Sequence, residues 1–150
     1  MERIVVATDG SPSAQEAVQF GLRLAADDDS GLTFVTVVPA VDVLPGSSFG
    51  GTAAIPHQVT EEDEAPLDEA RRLAEAAGVA AHFRLLKGDP ADEIVTFADD
   101  IDADMIVVGS RGHAALASAF LGSVSRAVLH DARRPVLVVR AKPAQASAAA

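Results

Sequence analysis

The residues best suited to chemistry in this sequence are glycines and serines that follow an apolar run at Met105–Val108. Gly109-Ser110-Arg111-Gly112 comes directly after the run, and Gly122 opens Ser123-Val124-Ser125 after nine further residues, at the head of an amphipathic segment. Glycines let backbone N–H groups approach an anion, and a helix N-terminus adds unpaired donors and a positive dipole end. The serine hydroxyls are further donors. The stretch therefore predicts a phosphate-binding loop between a strand and a helix.

Strand and helix patterns alternate along the whole chain, which predicts an α/β fold with right-handed parallel crossovers. The first and fourth strands are apolar throughout, which favours the centre of a sheet, whereas the third alternates and favours an edge. We therefore expect a single-domain, Rossmann-like open parallel sheet of five strands in the order 3-2-1-4-5, with helices on both faces. The predicted strands cover residues 3–8, 32–38, 81–85, 105–108 and 135–140.

The predicted sheet places two candidate elements at one crevice. Ligands of such sheets bind beyond the carboxyl ends of the strands, at the switch point between strands one and four. Thr8-Asp9 ends the first strand and Gly109–Gly112 ends the fourth, so both lie at that point. Asp9 taken alone is typical of a turn residue that caps its neighbours, but its position at the switch point favours contact with a ligand.

Local signals set the expected bounds of the other segments. Ser11 is predicted to cap the first helix ahead of Pro12, and Pro66 suggests that the second helix begins near Ala65. The stretch from Ala40 to Val59 is rich in Gly, Ser and Pro and lacks periodicity, which predicts a long mobile loop, either a variable insertion or a lid. His57 lies alone in it and is expected to be solvated. We expect a folded domain over 1–140 and a disordered Ala-rich tail over 141–150.

Composition and charge limit the classes of partner. The 150 residues contain no cysteine, so disulfides and thiolate metal sites are excluded. No apolar run approaches the ~20 residues of a membrane span, and no signal segment precedes the first strand, so we expect a cytoplasmic protein with no membrane partner. The net charge of −10 argues against nucleic-acid binding. It also repels a polyphosphate, so such a ligand needs local donors and a divalent cation.

The spacing of Gly109, Gly112, Gly122 and Ser123 resembles the G-x2-G-x9-G-[S/T] signature of the ATP-binding branch of the universal stress protein family. The resemblance covers nearly the whole chain, since it extends to Val5–Ser11 at the start and to Pro135–Val139 at the end. It implies an adenine nucleotide as ligand, ATP with Mg²⁺. One departure is His113-Ala114-Ala115-Leu116, where many relatives have Gly-Gly-Leu after the second glycine.

The resemblance also implies roles for individual residues. Asp9 would meet the ribose or nearby polar groups, and the backbone of Val37 would read the edge of the adenine. The ribose and phosphates would lie among the residues of the glycine signature. The implied nucleotide site comprises Ala7, Thr8, Asp9, Val37, Gly109, Ser110, Arg111, Gly112, Gly122, Ser123, Val124 and Ser125.

Three functions follow, in order of preference. The first is an ATP-binding stress-response module whose nucleotide occupancy modulates its conformation or its partner binding. The second is a nucleotide-free dimeric interaction protein of the same fold, with the glycine loop kept for packing. The third, ranked last, is a slow ATPase. The sequence has no nucleophile elbow, Walker lysine or metal-binding histidine pair, so it assigns no catalytic residue. We also expect a homodimer through Val136–Val139, an apolar strand at a predicted sheet edge.

Overall fold

The chain folds into seven strands and four helices in a computed structural model that describes residues 2–28, 30–46, 50–112 and 120–142. The strands are β1 (Arg3–Ala7), β2 (Gly31–Val38), β3 (Val41–Leu44), β4 (Ala53–Pro56), β5 (Ala81–Lys87), β6 (Met105–Gly109) and β7 (Val136–Val139). The helices are α1 (Pro12–Asp28), α2 (Glu61–Ala77), α3 (Pro90–Asp100) and α4 (Ser123–Asp131). The predicted tail lies outside the described residues from residue 143 onward.

Five strands form one parallel sheet in the order β5-β2-β1-β6-β7. Counted along the chain among these five, the order is 3-2-1-4-5, so the predicted topology is confirmed. The middle residues of β1 and β6 are buried on both faces of the sheet, because helices cover both faces. The alternating strand β5 lies at an edge, as its pattern predicts.

The two faces of the sheet carry separate apolar cores. Ile4 and Val6 of β1 pack with α1 and α2, whereas Val5 between them packs with α3 and α4. This division follows from the period of two along a strand, which sends successive side chains to opposite faces. Each fully buried aliphatic side chain contributes about 1.5–3 kcal/mol relative to an exposed one. The two cores together fix the sheet as a rigid platform whose carboxyl-terminal edge holds the site.

The segment from Ala40 to Val59 contains an antiparallel hairpin of β3 and β4, so the prediction of a loop without regular structure was wrong. Val41 pairs with Pro56 and Leu44 with Ala53. Strands of four residues are too short to show a period of two against a background of Gly, Ser and Pro. Residues 47–49, between the strands, lie outside the described residues.

His57 was predicted to be solvated, and that prediction was also wrong. Its side chain is only 13% exposed, and its two ring nitrogens lie within hydrogen-bond distance of Asp42 and Asp63. The partners come from β3 and from α2, so the contact exists only once the hairpin is folded against the helix.

Helix α2 begins at Glu61, one turn earlier than Pro66 suggested. Thr60 caps it: the Thr60 Oγ1 accepts the N–H of Asp63 at 3.3 Å, and Oδ2 of Asp63 accepts the N–H of Thr60 at 2.8 Å. This reciprocal capping box satisfies two backbone donors and favours the earlier start. Four acidic residues in the first turn complement the positive end of the helix dipole.

None of the helices in the described part of the chain is long and apolar enough to cross a membrane.

Candidate functional site

A cleft of about 130 Å³ opens at the carboxyl-terminal edge of the sheet, between the ends of β1 and β6. At about 30 Å³ per water molecule in the liquid, it has room for about four waters, which suits a small organic group. Nine residues of the predicted site line it: Ala7, Thr8, Asp9, Val37, Gly109, Arg111, Gly112, Val124 and Ser125.

The turn after β1 uses one oxygen of Asp9. Its Oδ1 accepts the N–H of Ser11 at 2.9 Å, and Gly10 between them has the left-handed φ of 80° that the turn requires. The other oxygen points across the cleft, because a β-carbon added to Gly112 would lie 2.7 Å from Oδ2. Asp9 is therefore a turn residue and a wall of the cleft at once.

Gly109 marks where the end of β6 touches the start of α1. A β-carbon at this position would lie 2.7 Å from the Ser13 Oγ and 2.7 Å from the backbone nitrogen of Ala14. Such distances leave no room for a side chain, so this glycine is required by packing. The close approach brings the loop after β6 under the first turn of α1.

Two buried serines at the start of α1, Ser11 just before the helix and Ser13 in its first turn, form hydrogen bonds to the peptide of Arg111. The Ser13 Oγ accepts the N–H of Arg111 at 3.1 Å and lies 2.5 Å from its carbonyl oxygen, to which it donates. The Ser11 Oγ donates to the same carbonyl at 3.2 Å, while the Ser11 carbonyl accepts the N–H of Gln15 and so begins the helix. Sequence reasoning assigned Ser11 only as a cap and missed Ser13, although the Ser-Pro-Ser spacing places both hydroxyls in one helical turn.

Hydrogen bonds join the start of α4 to the loop that follows β6. The Ser110 carbonyl accepts the N–H of Gly122 at 2.7 Å and the hydroxyl of Ser125 at 2.9 Å. The buried Ser125 hydroxyl therefore anchors the loop, although it was predicted to surround the phosphates. Ser123 is exposed at the helix start, and Gly122 caps the helix without any side-chain hydrogen bond.

The backbone of Val37 faces the cleft. Strand β2 runs on to Val38, past the end of β1, whose last residue pairs with Val35. Val35 turns its backbone groups toward β1, because its carbonyl accepts the N–H of Thr8 at 2.9 Å, and Val38 turns its groups toward the β5 side. The backbone N–H and C=O groups of successive residues point to opposite edges of a strand. The N–H and C=O of Val37 therefore point to the β1 side, beyond the last paired residue.

Sequence reasoning missed the apolar wall of the cleft. Pro90 and Ile94 of α3 line it together with Val35 of β2. Neither the Gly88-Asp89-Pro90 turn nor Ile94 was assigned to the site from the sequence. Their position just after β5 could have placed them at the cleft, since the carboxyl ends of parallel strands meet at one edge of a sheet.

Arg111 is the basic residue among the described residues that line the cleft, and it is exposed. After β7, the guanidinium of Arg140 lies 4.1 Å from the centre of the Phe120 ring. The Ser110 N–H donates to the Val139 carbonyl at 2.7 Å, which fixes the end of β7 beside the loop. Residues 113–119, including the His113 departure from the family pattern, lie outside the described residues.

Comparison with known proteins finds relatives over almost the full chain. The model of the universal stress protein family matches residues 1–140. A universal stress protein of Methanocaldococcus jannaschii is 35% identical over 139 residues, which cover 93% of this chain and 82% of the relative.

Two solved structures with bound ligands share the fold. A universal stress protein in complex with cAMP superposes with a TM-score of 0.69 at 30% identity, covering 94% of this chain and 98% of that one. The universal stress protein from Archaeoglobus fulgidus in complex with dAMP superposes with a TM-score of 0.63 at 28% identity, covering 93% and 98%. The ligands of both proteins contain adenine and a phosphate group.

Proposed function

The chain belongs to the universal stress protein family, and we propose that it is an ATP-binding regulatory module of the stress response. In this proposal ATP binds with Mg²⁺ in the cleft between β1 and β6, and its occupancy changes the conformation of the protein or the partner it binds. The observation that carries the proposal is the convergence on one cleft of the Asp9 turn, the loop Gly109–Gly112 and the first turn of α4.

The inner part of the cleft supports a planar base as ligand. Val35, Pro90 and Ile94 offer apolar surface to the faces of a base. The N–H and C=O of Val37 offer one donor and one acceptor to its edge, which match the ring acceptor and the amino donor of adenine. The adenine nucleotides bound by the two solved relatives support the same class of ligand.

The outer part of the cleft supports phosphates. The first turn of α4 carries N–H groups, and among the described residues no side chain caps them; such groups bind anions with the help of the helix dipole. Arg111 adds local positive charge against a net charge of −10. This local field offsets the repulsion that an acidic protein exerts on a polyphosphate.

The donor set around the cleft fits Mg²⁺ only as a partner of the phosphates. Asp9 is the carboxylate among the described residues that line the cleft, and no group of three acidic or histidine side chains that could hold a metal occurs in the described chain. Mg²⁺ commonly binds through one carboxylate together with the phosphates of a substrate. When bound, the ion would neutralise phosphate charge.

Calorimetric titration of the purified chain tests the proposed ligand. We expect saturable one-to-one binding of ATP that strengthens with Mg²⁺, and weaker binding of AMP, cAMP and GTP. Lack of binding by every adenine nucleotide would reject the site. AMP or cAMP that binds as tightly as Mg²⁺-ATP would keep the site but reject ATP as its specific ligand.

Amide exchange with and without saturating Mg²⁺-ATP tests the regulatory part. We expect slower exchange both around the cleft and in at least one element that does not line it. Protection confined to the residues of the cleft would show binding without a change of conformation and would contradict regulation by occupancy.

We also propose a homodimer through the free edge of β7. The strand ends the sheet, and its four apolar residues are only half-buried. The carbonyls of Pro135 and Val139 accept N–H groups from the β6 side, so the backbone groups of Val136 and Val138 point away from the sheet. An unpaired apolar edge invites pairing with a second copy, and a two-fold axis makes that pairing antiparallel.

A further inference from the structure

The imidazole of His57 joins the hairpin to the start of α2. Its Nδ1 lies 2.7 Å from Oδ1 of Asp42 on β3, and its Nε2 lies 2.8 Å from Oδ2 of Asp63 in the first turn of α2. The ring is 13% exposed, whereas Asp63 and Asp42 are 20% and 43% exposed. This contact places an ionisable ring between two carboxylates that come from different elements.

The geometry selects one protonation state of the ring. An ionised carboxylate only accepts hydrogen bonds, and a neutral imidazole carries a single N–H. Only the imidazolium, with an N–H on each nitrogen, donates to Asp42 and Asp63 together. Deprotonation leaves one of the two carboxylates facing a ring nitrogen that has no proton to donate.

Among the described residues, the hairpin makes few other contacts that could hold it. The side chains of Val41, Val43 and Ile55 are 48%, 67% and 42% exposed, so they contribute little burial. A two-stranded hairpin without an apolar face packed on a core is marginally stable in water. A backbone bond from the His57 N–H to the Ala40 carbonyl, 3.0 Å long, closes the base of the hairpin but does not reach α2.

The same contact reaches the cap of the helix. Oδ2 of Asp63 accepts hydrogen bonds from the Thr60 N–H at 2.8 Å and from the Thr60 Oγ1 at 3.0 Å, in addition to facing His57. Behind this turn, Glu62 and Pro66 share a second cavity with Asp9 of the proposed nucleotide cleft. The contact between the hairpin and α2 therefore lies near the carboxyl-terminal edge of the sheet, where the proposed nucleotide cleft opens.

We propose that His57, Asp42 and Asp63 form a pH-sensitive latch that holds the β3–β4 hairpin against the start of α2 while His57 is protonated. Loss of the proton removes one of the two bridges and releases the hairpin from the helix. The latch does not depend on the proposed nucleotide function, because none of the three residues lines the nucleotide cleft.

The direction of the pH dependence follows from the groups that face the ring. Hydrogen bonds to Asp42 and then to Asp63 raise the pKa of His57 above its ordinary value of 6.5, against the opposing effect of burial. The pKa of Asp63 is lowered, first by the Thr60 N–H and then by His57. A raised histidine pKa gives stabilisation that is complete below about 6.5 and is lost as the pH rises through the higher folded value.

Nuclear magnetic resonance of the full chain tests the latch in two ways. A titration of imidazole nitrogen shifts should find both nitrogens of His57 protonated at pH 6 and a pKa above about 6.5. Amide exchange, corrected for intrinsic rates, should show protection in β3 and β4 that falls roughly fivefold or more as His57 deprotonates. The comparison variants are His57→Gln and, as a matched control, His82→Gln, which changes an exposed histidine on β5.

The latch predicts different results for the two variants. His82→Gln should keep the wild-type pH dependence, whereas His57→Gln should show low hairpin protection that does not change with pH. Circular dichroism should be the same for all three proteins, because the latch lies outside both apolar cores. Two results would overturn the proposal: a His57 pKa at or below its ordinary value, or amide protection in the wild-type hairpin that does not change as His57 deprotonates.

Discussion

Asp9 and Gly112 meet across the cleft so closely that a β-carbon on Gly112 would lie 2.7 Å from Oδ2 of Asp9. The other oxygen of that carboxylate accepts the N–H of Ser11 at 2.9 Å. One side chain thus connects the turn after β1 with the glycine loop after β6. These two segments are the walls of the switch point at which open α/β sheets bind their ligands.

Substitution of Asp9 is expected to weaken nucleotide binding without abolishing it. Asp9→Ala removes one hydrogen-bonding group from the cleft, which costs about 0.5–1.5 kcal/mol, or a several-fold rise in dissociation constant for Mg²⁺-ATP. Asp9→Asn is the matched variant, because its amide oxygen still accepts the N–H of Ser11. Calorimetric titration of both variants separates contact with the ligand from loss of the turn. Affinity in Asp9→Ala equal to that of the wild type would remove Asp9 from the site.

Gly109→Ala is expected to destabilise the fold. The added carbon would approach the Ser13 Oγ and the Ala14 nitrogen to 2.7 Å, and relief requires movement of α1 or β6. Overpacking of this kind costs about 1–3 kcal/mol, measured as a lower urea midpoint at unchanged slope. Gly51→Ala is the control: a β-carbon there meets no atom of the described residues within 4 Å, so we expect a change within about 0.5 kcal/mol. Equal midpoints for the two variants would contradict the close approach at Gly109.

Gly122→Glu is expected to block the binding of ATP. The variant places bulk and negative charge at the N-terminus of α4, where the proposal puts the phosphates. Gly122→Gln has nearly the same bulk without the charge, so comparison of the two by calorimetry divides the effect between sterics and electrostatics. We expect the glutamate to be the more severe change. Wild-type affinity in a folded Gly122→Glu protein would mean that the phosphates bind elsewhere.

Val138→Pro is expected to give a folded monomer. Proline removes a backbone N–H, and at Val138 that N–H points away from β6, so the pairing within the sheet stays intact. Val138→Ala is the control, since it shortens the side chain but keeps the donor. Sedimentation should find dimers for the wild type and for the alanine variant at micromolar concentration. A monomeric wild type under those conditions would refute the proposed interface.

The topology of the sheet was predictable because the burial of each strand shows in its pattern of apolar and polar residues. Ile4–Val6 and Ile106–Val108 are apolar at every position, a pattern that favours a strand covered on both faces. Strand β5 alternates because an edge strand is half-exposed. No knowledge of distant contacts was needed to place these strands.

The hairpin and its histidine could not be predicted in the same way. Strands β3 and β4 are too short for a period to show, and antiparallel pairing sets their register. The partners of His57 lie fifteen residues before it and six after it, on elements whose meeting the sequence does not record. A histidine between Pro56 and Gln58 looks the same in the sequence whether its side chain is solvated or held between two carboxylates.

The sequence by itself determined the position of the candidate site, because strand ends, glycine spacing and helix starts are signals within a few residues. Only the tertiary structure decided the contacts inside it: the hold of Ser13 on the peptide of Arg111, the direction of the Val37 backbone and the approach of Asp9 to Gly112. Parallel crossovers bring carboxyl ends that are far apart in the chain to one edge of the sheet. How closely they meet there depends on the packing of helices and strands, which no local pattern contains.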